Sequence, residues 1–257
     1  MAGIVRIDVV TIFPDTVRTA LDFSIMQRAQ ATGVVEFGVH NPRDYAADRH
    51  KMVDDAPYGG GAGMVMKPEP LVACVEGLIA GETGVPVVLM TPQGAPFTHQ
   101  EAARLARSEH LVIVCGHYEG VDERVRQTVI TDEISVGDYV LTGGELPALI
   151  VIDAVVRLLP GAVGNELSPE CDSFSDGLLE HPHYTRPPEF RGLHVPAALA
   201  RGHHEQVRRW RRQMSLLRTY RRRPDLLARA ELSDEDRELL AEALGAVHHD
   251  RNRQATG

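Results

Sequence analysis

No apolar run in this 257-residue chain reaches the roughly 20 residues a helix needs to cross a bilayer. The most apolar stretch, Leu146 to Leu159, is interrupted by Asp153 and Arg157. Arg6 and Asp8 stand inside the first apolar segment, so a secretory signal pattern is missing and the default address is cytoplasmic. Cysteine is scarce. Cys74, Cys115 and Cys171 are odd in number and widely spaced, which excludes a disulfide framework and a CxxC metal site. No HExxH occurs, and among twelve histidines only His181-x-His183 and His203-His204 are close pairs before the C-terminal tail, so no metal site is expected. GK[ST] is absent, and Gly61-x-Gly63 leads to Met66 where a GxGxxG fingerprint needs glycine, which removes the P-loop and Rossmann readings. Basic residues are also outnumbered: the net charge of −9 argues, taken alone, against a polyanionic partner.

What is present is the composition of an ordinary globular protein, 43% hydrophobic and 25% charged, long enough for one large domain or for one domain plus a smaller one. Strands and helices alternate. Ile4–Phe13, Val34–Val39, Val85–Met90 and Leu111–Cys115 read as strands, and Ile134–Leu141 is strand-like. Thr16–Ala31, Pro68–Ala80, Thr98–Ser108 and Gly143–Leu159 read as helices. Asn41–Gly63 shows no period and ends in a glycine-rich loop of the kind that carries function or moves. The alternation predicts an α/β fold with a mainly parallel sheet and helices on both faces. From Pro196 the chain reads all-helical, as Pro196–Gly202, His203–Arg222, Pro224–Ala230 and Ser233–Leu244, with a disordered tail from His248. The Gly143–Leu159 helix is apolar nearly all round and is predicted to be buried, with another subunit as one candidate cover. Asp153 and Arg157 within it are spaced to pair with each other.

Three strands end in loops of small residues. Met90 is followed by Thr91, Pro92, Gln93 and Gly94, Cys115 by Gly116, His117, Tyr118, Glu119 and Gly120, and the Ile134 segment by Thr142, Gly143, Gly144 and Pro147. In open α/β sheets ligands sit beyond the carboxyl ends of strands, so these loops are predicted to converge on one pocket. Between Gln206 and Arg223 stand Arg208, Arg209, Arg211, Arg212, Arg218, Arg221, Arg222 and Arg223, without an acidic residue and with Trp210 and Tyr220 interleaved. Such a run in an acidic chain is the electrostatic footprint of a nucleic-acid contact, or else a solvated helix face.

The segments LMTPQG (Leu89–Gly94), CGHYEGVDERV (Cys115–Val125), SVGDYVLTGGELPA (Ser135–Ala148), DSFSDGLLEHPHYTRP (Asp172–Pro187) and WRRQMSLLRTYRRRPDLL (Trp210–Leu227) together resemble the bacterial tRNA (guanine-N1)-methyltransferases. VDDAPYGGGAGMVM (Val53–Met66) fits the same pattern, with Ala62 where many members have proline. The resemblance runs from the first strand to the final helix. It implies a SPOUT α/β domain with a deep C-terminal trefoil knot over residues 1–163, a linker at 164–171 and a helical tRNA-binding domain over 172–257. Periodicity shows no knot, and general folding rules would exclude one.

The implied activity is transfer of a methyl group from S-adenosylmethionine to N1 of guanine at tRNA position 37, which supports reading-frame maintenance. Implied cofactor contacts are Thr91, Pro92, Gln93, Gly94, Gly116, Tyr118, Glu119, Gly120, Ser135, Val136, Gly137, Asp138, Tyr139, Val140, Leu141, Gly143, Gly144 and Pro147. Implied catalytic residues are Asp172 as general base, Arg157 beside the guanine O6, and Glu119. His183, Arg186, Arg208, Arg211 and Arg212 are the implied RNA contacts. A homodimer with its active site at the subunit interface is implied, with tRNA as partner and neither membrane nor DNA. The resemblance also leaves room for a magnesium ion, which no ligand cluster in the sequence shows. Read from the residues alone, Asp172 serves equally well as a helix cap. A non-catalytic RNA-binding module and a knotted ribose methyltransferase remain the competing functions.

Overall fold

The computed structural model describes residues 4–163, 172–200 and 202–255. The chain divides into two compact units, Met1–Glu166 and Leu167–Gly257. The expected linker at 164–171, which contains Cys171, lies outside the described residues.

In the first unit five parallel strands form one sheet in the order β2-β1-β6-β5-β7. They are β1 (Val5–Val10), β2 (Val35–His40), β5 (Val87–Pro96), β6 (His110–Cys115) and β7 (Asp132–Ser135). The helices are α1 (Pro14–Leu21), α2 (Ser24–Ala31), α3 (Pro68–Leu78), α4 (His99–Leu105), α5 (Glu123–Thr128) and α6 (Glu145–Val156). Alternation along the buried strands assigns side chains to opposite faces. Leu111, Ile113 and Cys115 pack with α1, α2, α4 and α6, whereas Val112 and Val114 pack with α3 and α5. Every residue of β6 is buried, as a central strand covered on both faces requires.

Several expected boundaries shift. The helix expected over Thr16–Ala31 is two, because Phe23 is extended (φ −145°, ψ 159°) between α1 and α2. The strand expected to reach Leu141 ends at Ser135. Gly137 takes φ +155°, open to glycine and strained for other residues, and Tyr139, Val140 and Leu141 leave the sheet exposed. The unpatterned Asn41–Gly63 segment contains a short 3₁₀ turn (Pro42–Tyr45) and β3 (Asp54–Asp55), which pairs antiparallel with β4 (Val65–Met66).

Asp8 is a buried carboxylate in β1. It accepts from His40 Nε2 at 2.6 Å and His110 Nε2 at 2.8 Å, and pairs with Arg6 at 2.7 Å. Burial alone would raise its pKa, but the two histidines and Arg6 outweigh that and hold it below the usual carboxylate range.

The second unit contains an antiparallel ribbon of β8 (Glu189–Phe190) and β9 (Leu193–His194), then α7 (Ala197–Ala200), α8 (His204–Arg222), α9 (Pro224–Leu227) and α10 (Asp234–Ala255). Leu178, Leu216 and Leu239 form its buried centre. The Ser233-x-x-Asp236 signal is a reciprocal cap: the Asp236 amide donates to Ser233 Oγ and the Ser233 amide to Asp236 Oδ2, each at 3.1 Å. α10 continues to Ala255, past His248 where the sequence suggests a disordered tail, because nothing in this stretch breaks a helix.

Candidate functional site

The first unit contains a cavity at the bulge of β5 and the carboxyl ends of β6 and β7, and the three small-residue loops line it. Its wall includes Thr91, Pro92, Gln93, Gly116, His117, Tyr118, Glu119, Gly120, Ser135, Val136, Gly137, Tyr139, Val140, Leu141, Thr142, Gly143, Gly144 and Pro147. Because the strands are parallel, their ends lie side by side, so loops 20 to 50 positions apart in sequence meet in one place.

The first loop forms because β5 bulges away from β7. Met90 and Ala95 both face Ile134, so Thr91–Gly94 loop out between two pairings of the same partner. Gly94 does not line the cavity. A side chain there would collide with the backbone at Glu133 and Ile134, so this glycine serves the close strand approach that closes the bulge. Asp138 also lies outside the wall.

The second and third loops are joined directly. The Gly144 amide donates to the Gly116 carbonyl at 2.8 Å, and His117 bridges Gly143. A Cβ on Gly144 would lie 2.7 Å from Cys115 Cα and 2.9 Å from the Gly116 nitrogen, so only glycine lets α6 start this close to β6. Tyr118 carries φ +58° without being glycine, a strained conformation of the kind concentrated at binding sites. β4 runs beside this loop: the Glu119 amide donates to the Met64 carbonyl at 3.0 Å and the Met66 amide to the Gly120 carbonyl at 2.9 Å. The Gly59–Gly63 loop is thereby brought to Glu119, which occupies the space a side chain on Gly63 would need.

Sequence reasoning assigned nothing to His117, yet its Nδ1 is buried with no partner among the described residues while its ring packs edge-on to Phe13 and Tyr118, each at 5.0 Å. A buried orphan nitrogen of this kind is rare and costly, and it lies against Gly143, where an added Cβ would stand 2.7 Å from it. Burial, reinforced by the charge of Glu145, pushes the Cys115 thiol well up, and burial pushes Cys74 up to about 12, so neither is a nucleophile. The cavity thus offers exposed backbone, an apolar lining of Leu89, Met90, Ile134 and Pro147, and a few polar groups, which suits an adenosine-like ligand.

Arg157 follows the last turn of α6, exposed, its amide donating to the Asp153 carbonyl at 3.2 Å. Leu146 and Ile150 stand 61% and 47% exposed on the same helix, so its expected burial is incomplete within one chain. Asp172 belongs to the second unit. Its carbonyl accepts from Ser175 Oγ at 2.8 Å, and the turn it opens docks on α8 through Thr219, which accepts from the Leu179 amide at 2.9 Å.

The arginine run is largely neutralised by carboxylates that come from elsewhere in the second unit. Arg208 pairs with Glu205 and Glu235, Arg209 with Glu242, Arg212 with Asp236 and Asp176, and Arg223 with Asp225. The Arg212 guanidinium holds the Asp236 carboxyl down at about 2. Among the described residues Arg211, Arg218, Arg221 and Arg222 make no ion pair; Arg218 donates to the Glu180 carbonyl at 3.3 Å, which leaves Arg211, Arg221 and Arg222 as the open cations of α8. His183 and Arg186 are exposed, and His183 Nε2 contacts Glu180 Oε1 at 2.7 Å.

Residues 5–229 match the family model described as "tRNA (Guanine-1)-methyltransferase TrmD". The chain is similar to proteins named tRNA (guanine-N(1)-)-methyltransferase from three bacteria. That of Pelotomaculum thermopropionicum is 58% identical over 245 residues, covering 95% of this chain and 98% of the relative. That of Moorella thermoacetica is 58% identical over 239 residues, 92% and 96%. That of Geobacter sulfurreducens is 56% identical over 236 residues, again 92% and 96%.

Proposed function

The chain belongs to the tRNA (guanine-1)-methyltransferase family, and from that membership we propose that it methylates N1 of guanine at position 37 of tRNA, beside the anticodon, using S-adenosylmethionine. The observation that carries this reading is the convergence of three strand-end loops on one cavity of exposed backbone and apolar side chains. The residues fit the methyl donor: the glycine loops and Pro147 would hold its adenosine part, and His117 lines the same cavity.

When bound, S-adenosylmethionine supplies an electrophilic methyl group on a sulfonium. The chain must then do two things: take the proton from a weakly acidic ring nitrogen and stabilise the charge this leaves on the base. An ionised carboxylate at Asp172 accepts the N1 proton, and the guanidinium of Arg157 donates hydrogen bonds toward the guanine O6. Glu119, in the cavity wall, would set a carboxylate near the bound methyl donor. The target base is unpaired in an RNA loop and can be splayed out and read on its edges.

Phosphate contacts fall to Arg211, Arg221, Arg222 and Arg186, while Arg208 and Arg212 hold α8 to its neighbours. A homodimer is supported by the open Leu146 and Ile150 stripe on α6, an apolar face that a second copy would cover. The trefoil knot belongs to this reading through the family, and magnesium has no assigned role in it. Mass mapping of nucleosides in tRNA after incubation with the donor tests the reading. 1-Methylguanosine at position 37 alone is the expected product, and a 2′-O-methyl nucleoside would replace this reading with the ribose one.

A further inference from the structure

The sequence suggests no metal site, because His181-x-His183 lacks a second pair of ligands. The structure supplies a third ligand beside it. Glu180, His181 and His183 each offer a donor atom, and these atoms lie within 4.8 Å of one another, the one group of this kind among the described residues. None of the three lines the candidate methyl-donor cavity; they stand in the second unit, where Glu180 and His181 share a cavity wall with Asp172 and Arg211.

We propose that Glu180, His181 and His183 form a binding site for a divalent first-row transition ion, with zinc as the ion that probes it. The donor set is two imidazoles and one carboxylate, which suits zinc, nickel or copper and not magnesium, an ion that takes oxygen ligands. His181 is arranged as metal-binding histidines are. Its Nδ1 faces the Pro182 carbonyl at 3.2 Å. A carbonyl only accepts, so Nδ1 carries the proton and the Nε2 lone pair is left for an ion.

His183 Nε2 and Glu180 Oε1 are 2.7 Å apart. Ligand atoms around a tetrahedral zinc, at bonds of about 2.0 to 2.1 Å, stand roughly 3.3 Å from one another, so that pair opens slightly as the ion enters and the widest spacing closes. Both movements are side-chain rotations in groups at least partly solvent-exposed. Three protein ligands leave a fourth position for water.

The consequence is local order. The His181 ring lies 6.4 Å from Trp210 and 4.7 Å from His183, and Tyr184 lies 6.1 Å from Trp210. An ion bound here fixes the Glu180–Tyr184 segment against α8, beside the open cation Arg211. Arg211 opposes cation binding electrostatically and the Glu180 carboxylate favours it, so the affinity is weaker than the same three ligands would give without Arg211.

The test uses untagged full-length protein stripped of metal with EDTA and dialysed. Zinc is titrated calorimetrically at neutral pH in millimolar magnesium. One site per chain with a micromolar Kd is expected, weakened at least tenfold in Glu180→Gln, His181→Gln and His183→Gln, and unchanged in a His50→Gln control in the first unit. Cobalt bound to the wild type should show the intense visible absorption of a tetrahedral site, lost in His181→Gln. Absence of saturable binding, competition by magnesium, or binding and cobalt absorption that persist in both His181→Gln and His183→Gln overturns the proposal. The cobalt spectrum of the wild type keeps it falsifiable even if a variant fails to fold.

Discussion

Thr11 donates its hydroxyl hydrogen to Glu145 Oε1 at 2.7 Å, joining the end of β1 to the first turn of α6 across 134 positions of sequence. Glu145 is only 9% exposed, and Thr11 Oγ1 also accepts from the Phe13 amide at 3.0 Å. Thr11→Val leaves a buried carboxylate short of a donor and an amide short of an acceptor. Urea unfolding should show a loss of about 1 to 3 kcal/mol. An unchanged midpoint would mean that water replaces the hydroxyl.

Gly144→Ala should damage the cavity more than the fold. The new methyl meets Cys115 Cα and the Gly116 nitrogen, backbone that cannot turn aside, so α6 must shift at its first turn. S-adenosylmethionine affinity, read by calorimetry, should fall at least tenfold. Gly245→Ala, on α10 with nothing within 4 Å of the added atom, is the control and should gain up to about 1 kcal/mol of stability.

Acid should loosen the second unit through Asp236. The Arg212 guanidinium and the Ser233 amide hold its carboxyl at about 2, against an ordinary 3.8. A depressed carboxyl stabilises the folded state above the unfolded pKa. That contribution, about 2 kcal/mol, is therefore present above roughly pH 4 and disappears as pH falls toward 2. Asp236→Asn should remove this pH dependence between 4 and 2 as well as the stability itself, measured by urea unfolding across that range.

Salt dependence should separate the arginines of α8. Replacing Arg211, Arg221 or Arg222 with alanine should each lower the slope of log affinity for tRNA against log salt by about 0.7 to 1. Arg208→Ala, which loses the contacts to Glu205 and Glu235, should leave the slope nearly unchanged. Equal slope changes at Arg208 and Arg211 would show that the ion pairs open on binding.

The cavity was legible in the sequence because glycine and proline interrupt an apolar run: Gly116 ends β6 at Cys115, while after Met90 the residues Thr91–Gly94 loop out as a bulge and β5 resumes at Ala95, beyond the expected end of the strand. The third loop begins earlier than its side chains suggest, at Val136 and not after Leu141. Val136, Tyr139, Val140 and Leu141 have strand-forming side chains, but Gly137 turns the chain away from the sheet and leaves them exposed. The resemblance implies a cofactor contact at Gly94, and the need for glycine there comes from the Glu133–Ile134 backbone across the bulge, which no local pattern shows. The neutralised arginines were not visible locally, since Glu235, Asp236 and Glu242 follow Arg208, Arg212 and Arg209 by 27, 24 and 33 positions. The burial of Asp8 was likewise hidden, because His40 and His110 arrive from strands 32 and 102 positions away.

Single-turnover methyl transfer to unmodified tRNA by Asp172→Asn, measured beside its affinity for S-adenosylmethionine, bears most directly on the chemistry. Donor affinity should stay within about twofold of the wild type while the transfer rate falls by roughly 10² to 10⁴, the range of a lost general base. Transfer at the wild-type rate with the donor bound normally would show that another group takes the guanine proton.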